Sequence, residues 1–243
     1  MLTTLLIAPL ALVTAPIQDE SVELKFQSKV GDSQIYQMTS VTPMDMGGQS
    51  MEITFSARLT SKVLEVTEET YTVEATTDNM TLKIGDQPMP MGGGGGAPDV
   101  PEKTVVKRQF DAKTGLWVKD LTENLAMGSS PRIEQLSAFA YPGKAIKVGG
   151  EWFHDFPANK KEEIPVAKAK FTIVGSEMVG KWDCWKISHV YSEMEGNIPF
   201  GAIGTIWLDK KDHSMVKYVG EYQNVKFVDM MPPANSKVTL TRI

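Results

Sequence analysis

The side chains best suited to chemistry in this sequence are methionines, which number 14 among the 243 residues. Two pairs have the spacing Met-x-Met: Met44 with Met46, and Met89 with Met91. The thioether sulfur is a soft ligand that suits Cu(I), so these four residues form a candidate copper site. The alternative is that methionine fills gaps in an irregular β core or forms a pliable apolar surface. Neither pair has a His or Cys nearby in sequence, which ranks copper binding third among the candidate functions.

No residue pattern predicts catalysis. The three histidines, His154, His189 and His213, are scattered without metal-ligand spacing, and Cys184 is the single cysteine. Phosphate-binding loops, dinucleotide fingerprints, metalloprotease motifs and nucleophile elbows are all missing from the sequence. We therefore expect a protein that is not an enzyme and that carries no cofactor.

Composition and charge are those of an ordinary globular protein. The chain is 42% hydrophobic and 23% charged. It has 25 Lys and Arg residues and 30 Asp and Glu residues, which gives a net charge of -5. Neither sign of charge forms a stripe, so nucleic-acid binding, which depends on clustered cations, is not expected.

The N-terminus resembles a leader for export. Residues 1–18 carry no charged side chain, and the apolar run from Leu5 to Ala15 ends in the small-residue pattern Val13-Thr14-Ala15. This pattern predicts a signal peptide over residues 1–15 and a protein that is periplasmic or associated with the cell surface. The run is too short to span a bilayer, so no transmembrane segment is expected after cleavage of the leader. The alternative is a buried N-terminal strand.

Alternation of apolar and polar residues predicts many short antiparallel strands, as in the run from Met51 to Leu59. The only predicted helix covers residues 131–141, with Ser130 as N-cap and Pro131 at the first helical position. We expect a mainly β fold over residues 22–243: a curved antiparallel sheet, or incomplete barrel, covered by that helix, with two β halves around it. A β-sandwich is the alternative. Five consecutive glycines predict a flexible loop over residues 89–101, with an interdomain linker as the competing interpretation.

Aromatic side chains are the candidates for binding an apolar ligand, because apolar clefts with a few polar groups are the usual small-molecule sites. More often, such residues only make the core. The six that we expect to face a site on the concave side of the sheet are Phe139, Trp152, Trp185, Tyr191, Trp207 and Tyr218.

Three local patterns resemble uncharacterised bacterial envelope proteins and lipoproteins. The first has Leu24-x-Phe26, Gly31-Asp32 and Tyr36-x-Met38; the second has Pro142-Gly143-Lys144 followed by Val148-Gly149-Gly150-Glu151-Trp152; the third has Gly204-Thr205-x-Trp207-Leu208-Asp209, resuming at Val216. The third also resembles hairpins of the LolA, LolB and LppX half-barrel, a sheet curved around helices that shields acyl chains. The resemblance implies an exported protein that binds a hydrophobic ligand or lipid in its concave face, with an envelope protein as a further candidate partner. A structural or protein-interaction module with a closed core is the alternative function.

Overall fold

A computed structural model describes residues 21–46, 48–89, 102–122, 130–160, 163–225 and 232–243. The predicted signal peptide, Met91 and all of the predicted glycine-rich loop except Met89 lie outside the described residues. The elements, in chain order, are β1 (Ser21–Val22), β2 (Ser33–Met46), β3 (Gln49–Val66), β4 (Thr70–Ile84), β5 (Gln87–Met89), β6 (Lys103–Asp111), β7 (Trp117–Asp120), α1 (Pro131–Gln135), β8 (Ile146–Lys147), β9 (Glu151–Phe156), β10 (Ala167–Val179), β11 (Trp182–Glu193), β12 (Gly201–Asp209), β13 (Met215–Val225) and β14 (Ala234–Arg242).

Twelve of these strands form one antiparallel sheet in the order β7-β6-β4-β3-β2-β14-β13-β12-β11-β10-β9, with β5 added beside β4. Strands β7 and β9 are its two edges and do not pair with each other, so the sheet is not closed into a barrel. The predicted mainly β fold with an open antiparallel sheet is therefore confirmed. The sandwich alternative is wrong, because these strands belong to one continuous sheet.

The sheet curves around the segment that contains α1. Within this segment, Arg132 contacts Glu193 of β11 at 2.6 Å, and Glu134 contacts Arg108 of β6 at 2.7 Å. Strands β6 and β11 are seven positions apart in the sheet, which would separate them by about 34 Å if the sheet were flat. Two residues of one helical turn can contact both strands only because the sheet bends around them.

The helix is shorter than predicted. It spans Pro131–Gln135 instead of residues 131–141, although Pro131 does occupy its start. A longer helix would use the Tyr141 amide for a bond within the helix, but this amide donates to the carbonyl oxygen of Thr114 at 2.8 Å. At Tyr141, a hydrogen bond to the turn between β6 and β7 therefore takes the place of a helical one. Leu136 and Ala140 of this segment are fully buried, so the segment still packs apolar side chains into the core.

The N-terminal residues 21–29, which we call the strap, also cover the concave face. Leu24 of the strap is buried in the same core cluster as Leu136 and Ala140. Phe26 stacks on Tyr71 with 3.7 Å between ring centroids and 8° between ring planes. The strap and the segment 130–141 together fill much of the concave side. No helix in the described parts of the chain is long and apolar enough to cross a membrane.

Candidate ligand-binding site

A cavity of about 640 Å³ lies where the two edges of the curved sheet approach each other. Trp117 of edge strand β7 lines one side, and His154 and Phe156 of edge strand β9 line the other. Residues of the segment 130–141, including Phe139, line the cavity between these edges. The cavity therefore occupies the gap that a closed barrel would seal by pairing β7 with β9.

The cavity wall is mostly apolar and includes six aromatic rings. The aromatic lining residues are Tyr71, Phe110, Trp117, Phe139, Tyr141 and Phe156, and the polar ones include Glu134, Gln135, His154, Asn159, Lys160 and His213. An aromatic wall with a few polar groups is the usual construction of a site for a small apolar molecule. The volume falls within the range of about 300–1,000 Å³ that such sites have.

The turn before β7 sets the position of one wall. The Asp111 carboxylate accepts hydrogen bonds from the Thr114 amide at 2.7 Å, the Thr114 hydroxyl at 2.9 Å and the Lys113 amide at 3.0 Å. Burial opposes ionisation of Asp111, but these hydrogen bonds outweigh it and lower the pKa of the carboxyl. The turn is thus fixed by a charged, well-bonded side chain, and it ends at Gly115 in the cavity wall.

Gly115 packs directly beneath Tyr141, and replacing it with alanine is expected to destabilise the protein by about 1–3 kcal/mol. Its φ of +75° disfavours a side chain, and an added Cβ would lie 2.7 Å from the Tyr141 ring. Gly143 is a matched control, because it has a φ of +66° with nothing within 4 Å of an added Cβ. Urea denaturation of both variants measures the difference; equal losses would show that the Tyr141 contact contributes nothing.

His154 is a polar group held in this largely apolar wall. Its ring lies edge-on to Phe156 with centroids 4.9 Å apart. Partial burial lowers the pKa of His154, and the nearby carboxylates of Asp155 and Asp111 oppose this effect only in part. Its environment therefore disfavours the charged form of the imidazole.

Five of the six predicted ligand-binding aromatics lie on the concave side, but only Phe139 lines the cavity. The others, Trp152, Trp185, Tyr191 and Tyr218, are buried in the packed core. Two of them hold the segment 130–141 in place: the Trp152 indole donates to the Ala140 carbonyl oxygen at 2.7 Å, and the Tyr191 hydroxyl donates to Gln135 at 3.0 Å.

Trp207 is not with the other five. It packs against Cys184 and Val216 in a separate cluster, and its indole donates to Glu177 at 3.2 Å. In the register of β11 and β12, Trp207 is opposite Lys186, whereas its neighbour Ile206 is opposite Ile187 in the main core. Trp207 therefore points to the convex face and cannot contribute to a concave site.

Met44 and Met89, one residue from each predicted copper-binding pair, lie apart in the sheet. Met44 pairs across β2 and β3 with Met51, while Met89 pairs with Leu82 of β4. Three strand spacings separate β2 from β5, about 14 Å across the sheet, which is too far for one ion to bridge. Met46 follows Met44 at the end of β2, and Met91 lies outside the described residues. The described residues also contain no group of three or more His, Cys, Asp or Glu that could hold a metal ion.

Comparison with known proteins does not establish a family. No protein-family model matches the chain, and no curated protein matches it. Among solved structures, the chain is similar to a DUF1329 family protein from Desulfovibrio piger ATCC 29098, at 12% sequence identity and a TM-score of 0.20, over 86% of this chain and 84% of that chain. Membership of an envelope-protein or lipoprotein family therefore stays a prediction.

Sequence reasoning missed most of the cavity. Tyr71, Phe110 and Trp117 come from the N-terminal half of the sheet, whereas Phe156 and His213 come from the C-terminal half. Each of these residues has an ordinary strand or turn pattern around it. Only the approach of the two sheet edges brings them together, and no local signal in the sequence indicates that approach.

Proposed function

We propose that this protein binds a hydrophobic ligand, such as a lipid or another acyl compound, in the cavity between β7 and β9. The observation that carries the proposal is the aromatic lining of a cavity of about 640 Å³ at the unpaired edges of the sheet. Removing an apolar wall of this size from water lowers the free energy of the complex, which favours binding of an apolar ligand. We further propose that the protein acts by binding and not as an enzyme, because the sequence has no recognisable catalytic constellation.

The packed core beneath α1 favours a second candidate, a structural or protein-interaction module. Leu136, Phe171, Ile187 and Ile206 are buried at 1% exposure or less, so this part of the concave face has no room for a ligand. A ligand would therefore use the edge cavity and leave the packed core unchanged. Ligand binding that is lost when the cavity is filled would therefore distinguish a ligand-binding protein from a structural or protein-interaction module.

The Ala138→Trp variant tests the proposal, because Ala138 lines the cavity and a bulky ring there would fill it. Binding of the fluorescent probe 1-anilinonaphthalene-8-sulfonate, and its displacement by fatty acids, is expected to weaken at least tenfold, about 1.4 kcal/mol. Ala145→Trp is the matched control, because Ala145 is exposed outside the cavity. Equal binding by both variants, or no saturable binding by the parent protein, would favour the closed module.

We also propose that the protein is exported, on the basis of the uncharged apolar leader and its small-residue ending. Cleavage near Ala15 is expected to give mature protein that begins close to Pro16. N-terminal sequencing of protein from the cell-envelope fraction measures this. Envelope protein that still begins at Met1 would show that the leader is retained.

A further inference from the structure

The cavity contains one histidine whose orientation is fixed by the strap. His213 lies in the turn between β12 and β13, where its amide donates to the Asp209 carbonyl oxygen at 2.8 Å. Its own carbonyl oxygen accepts a hydrogen bond from the Tyr141 hydroxyl at 3.3 Å. The side chain is buried and lines the cavity. Both its backbone and its ring are thus held in place before any ligand arrives.

The contacts of His213 Nδ1 favour one of the two neutral tautomers of the ring. The Gln27 side-chain amide lies 2.9 Å from Nδ1, and the Lys25 backbone amide donates to Nδ1 at 3.3 Å. The Lys25 carbonyl oxygen is also within 3.1 Å. A backbone N–H can only donate, and the shortest contact is with a second donor, so Nδ1 is best used as an acceptor. A neutral histidine that accepts at Nδ1 carries its proton on Nε2.

The Nε2–H group has no hydrogen-bond partner among the described residues. Because Nδ1 is occupied by the strap, Nε2 is the nitrogen left to meet a molecule in the cavity. Burying a hydrogen-bond donor without an acceptor costs free energy. A donor in this mostly apolar wall therefore favours ligands that place an acceptor next to it.

We propose that the Nε2–H of His213 donates a hydrogen bond to an acyl oxygen of the ligand, so that the cavity selects acyl compounds, such as fatty acids and their esters, over hydrocarbons. This inference rests on the proposed function, because it requires a ligand in the cavity. In this arrangement Nε2 of His213 provides specificity for the acyl oxygen, and the aromatic lining residues provide affinity for the apolar part of the ligand.

The test compares methyl decanoate with dodecane, which have similar apolar lengths but differ in the acyl oxygen. Displacement of 1-anilinonaphthalene-8-sulfonate is expected to show a three- to tenfold tighter binding of the ester, as a net hydrogen bond of ordinary strength gives. His213→Asn is expected to abolish this preference, so that the ester and dodecane bind with a ratio of affinities of about one. Asparagine tolerates the positive φ of +56° at this position and lacks a donor at the reach of Nε2. Lys144→Asn, at an exposed residue outside the cavity, is the matched control and is expected to retain the preference.

A second measurement keeps the inference testable if His213→Asn fails to fold. In ¹⁵N-histidine NMR spectra of the unmodified protein, the His213 signals are expected to report the Nε2–H tautomer, and methyl decanoate is expected to shift the Nε2–H proton where dodecane does not. An Nδ1–H tautomer, or equal binding of both probes with no shift, would overturn the inference and leave the proposed function standing. Failure of both probes to bind would overturn the proposed function itself.

Discussion

Replacing Arg132 with alanine is expected to lower the free energy of unfolding by about 3–5 kcal/mol, because it would leave a buried carboxylate without its partner. The Arg132 guanidinium binds both carboxylate oxygens of Glu193 at 2.6 Å, and the Glu193 side chain is fully buried. The same guanidinium lies 3.7 Å above the Phe200 ring, and the Phe200 amide donates to Glu193 at 2.6 Å. Urea denaturation of the purified variant measures the loss.

The pair between Arg58 and Asp78 is the matched control. It has the same chemistry and similar lengths of 2.7 and 3.0 Å, but its side chains are 42% and 21% exposed. Exposed ion pairs of this kind contribute about 0–1 kcal/mol, so Arg58→Ala is expected to have little effect. A loss for Arg132→Ala no greater than for Arg58→Ala would show that α1 is not held to β11 by this contact.

Acidification from pH 6.5 to pH 4 is expected to remove about 3 kcal/mol of stability through His189 alone. This ring is fully buried against Phe171, with centroids 5.1 Å apart, and neither ring nitrogen has a hydrogen-bond partner among the described residues. Burial lowers the pKa of His189 from 6.5 to about 4. The unfolded chain therefore takes up a proton as the pH falls through 6.5, while the native protein resists until about pH 4. The stabilisation is complete above pH 6.5 and is lost towards pH 4.

The His189→Leu variant isolates this effect, because leucine has no titratable group and suits an apolar site. Urea denaturation at pH 7, 5.5 and 4 is expected to show a smaller loss on acidification for this variant than for the parent protein. His154→Gln, which changes a half-buried ring, is expected to retain most of the parent's loss. Identical acid profiles for His189→Leu and the parent would contradict the role of His189.

The fold was more predictable than the site, for a physical reason that particular residues show. Alternation with period two depends only on near neighbours, so the run Met51–Leu59 identified a strand that lies within β3. The conformation at the end of the predicted helix was not predictable, because the Tyr141 amide donates to Thr114, a residue of the distant turn between β6 and β7. To predict which face of the sheet Trp207 occupies, one needs the register of β11 and β12, and no local sequence pattern gives that register.

The cavity was less predictable still. Trp117 and Phe156 are 39 positions apart, and their approach depends on the curvature of the whole sheet. The aromatics were predicted to line a site because apolar clefts are the usual small-molecule sites, but most of them are core residues, as large apolar side chains usually are. The strap was missed as well, because its contacts with His213 join residues more than 180 positions apart.

The pairing of β2 with β14 has a consequence for how the chain folds. Apart from that pairing, each neighbour in the large sheet is close along the chain, so β2–β7 and β9–β14 can each form as local hairpins. Among the described strands of the large sheet, the two groups pair with each other only where Tyr36–Val41 meets Lys237–Arg242. Because contacts between distant residues carry the largest loop-closure cost, this central seam is the slowest step to form. During synthesis, β2 therefore has one unpaired edge until the last strand has been made. Chaperone binding to that temporary edge would protect the chain from aggregation.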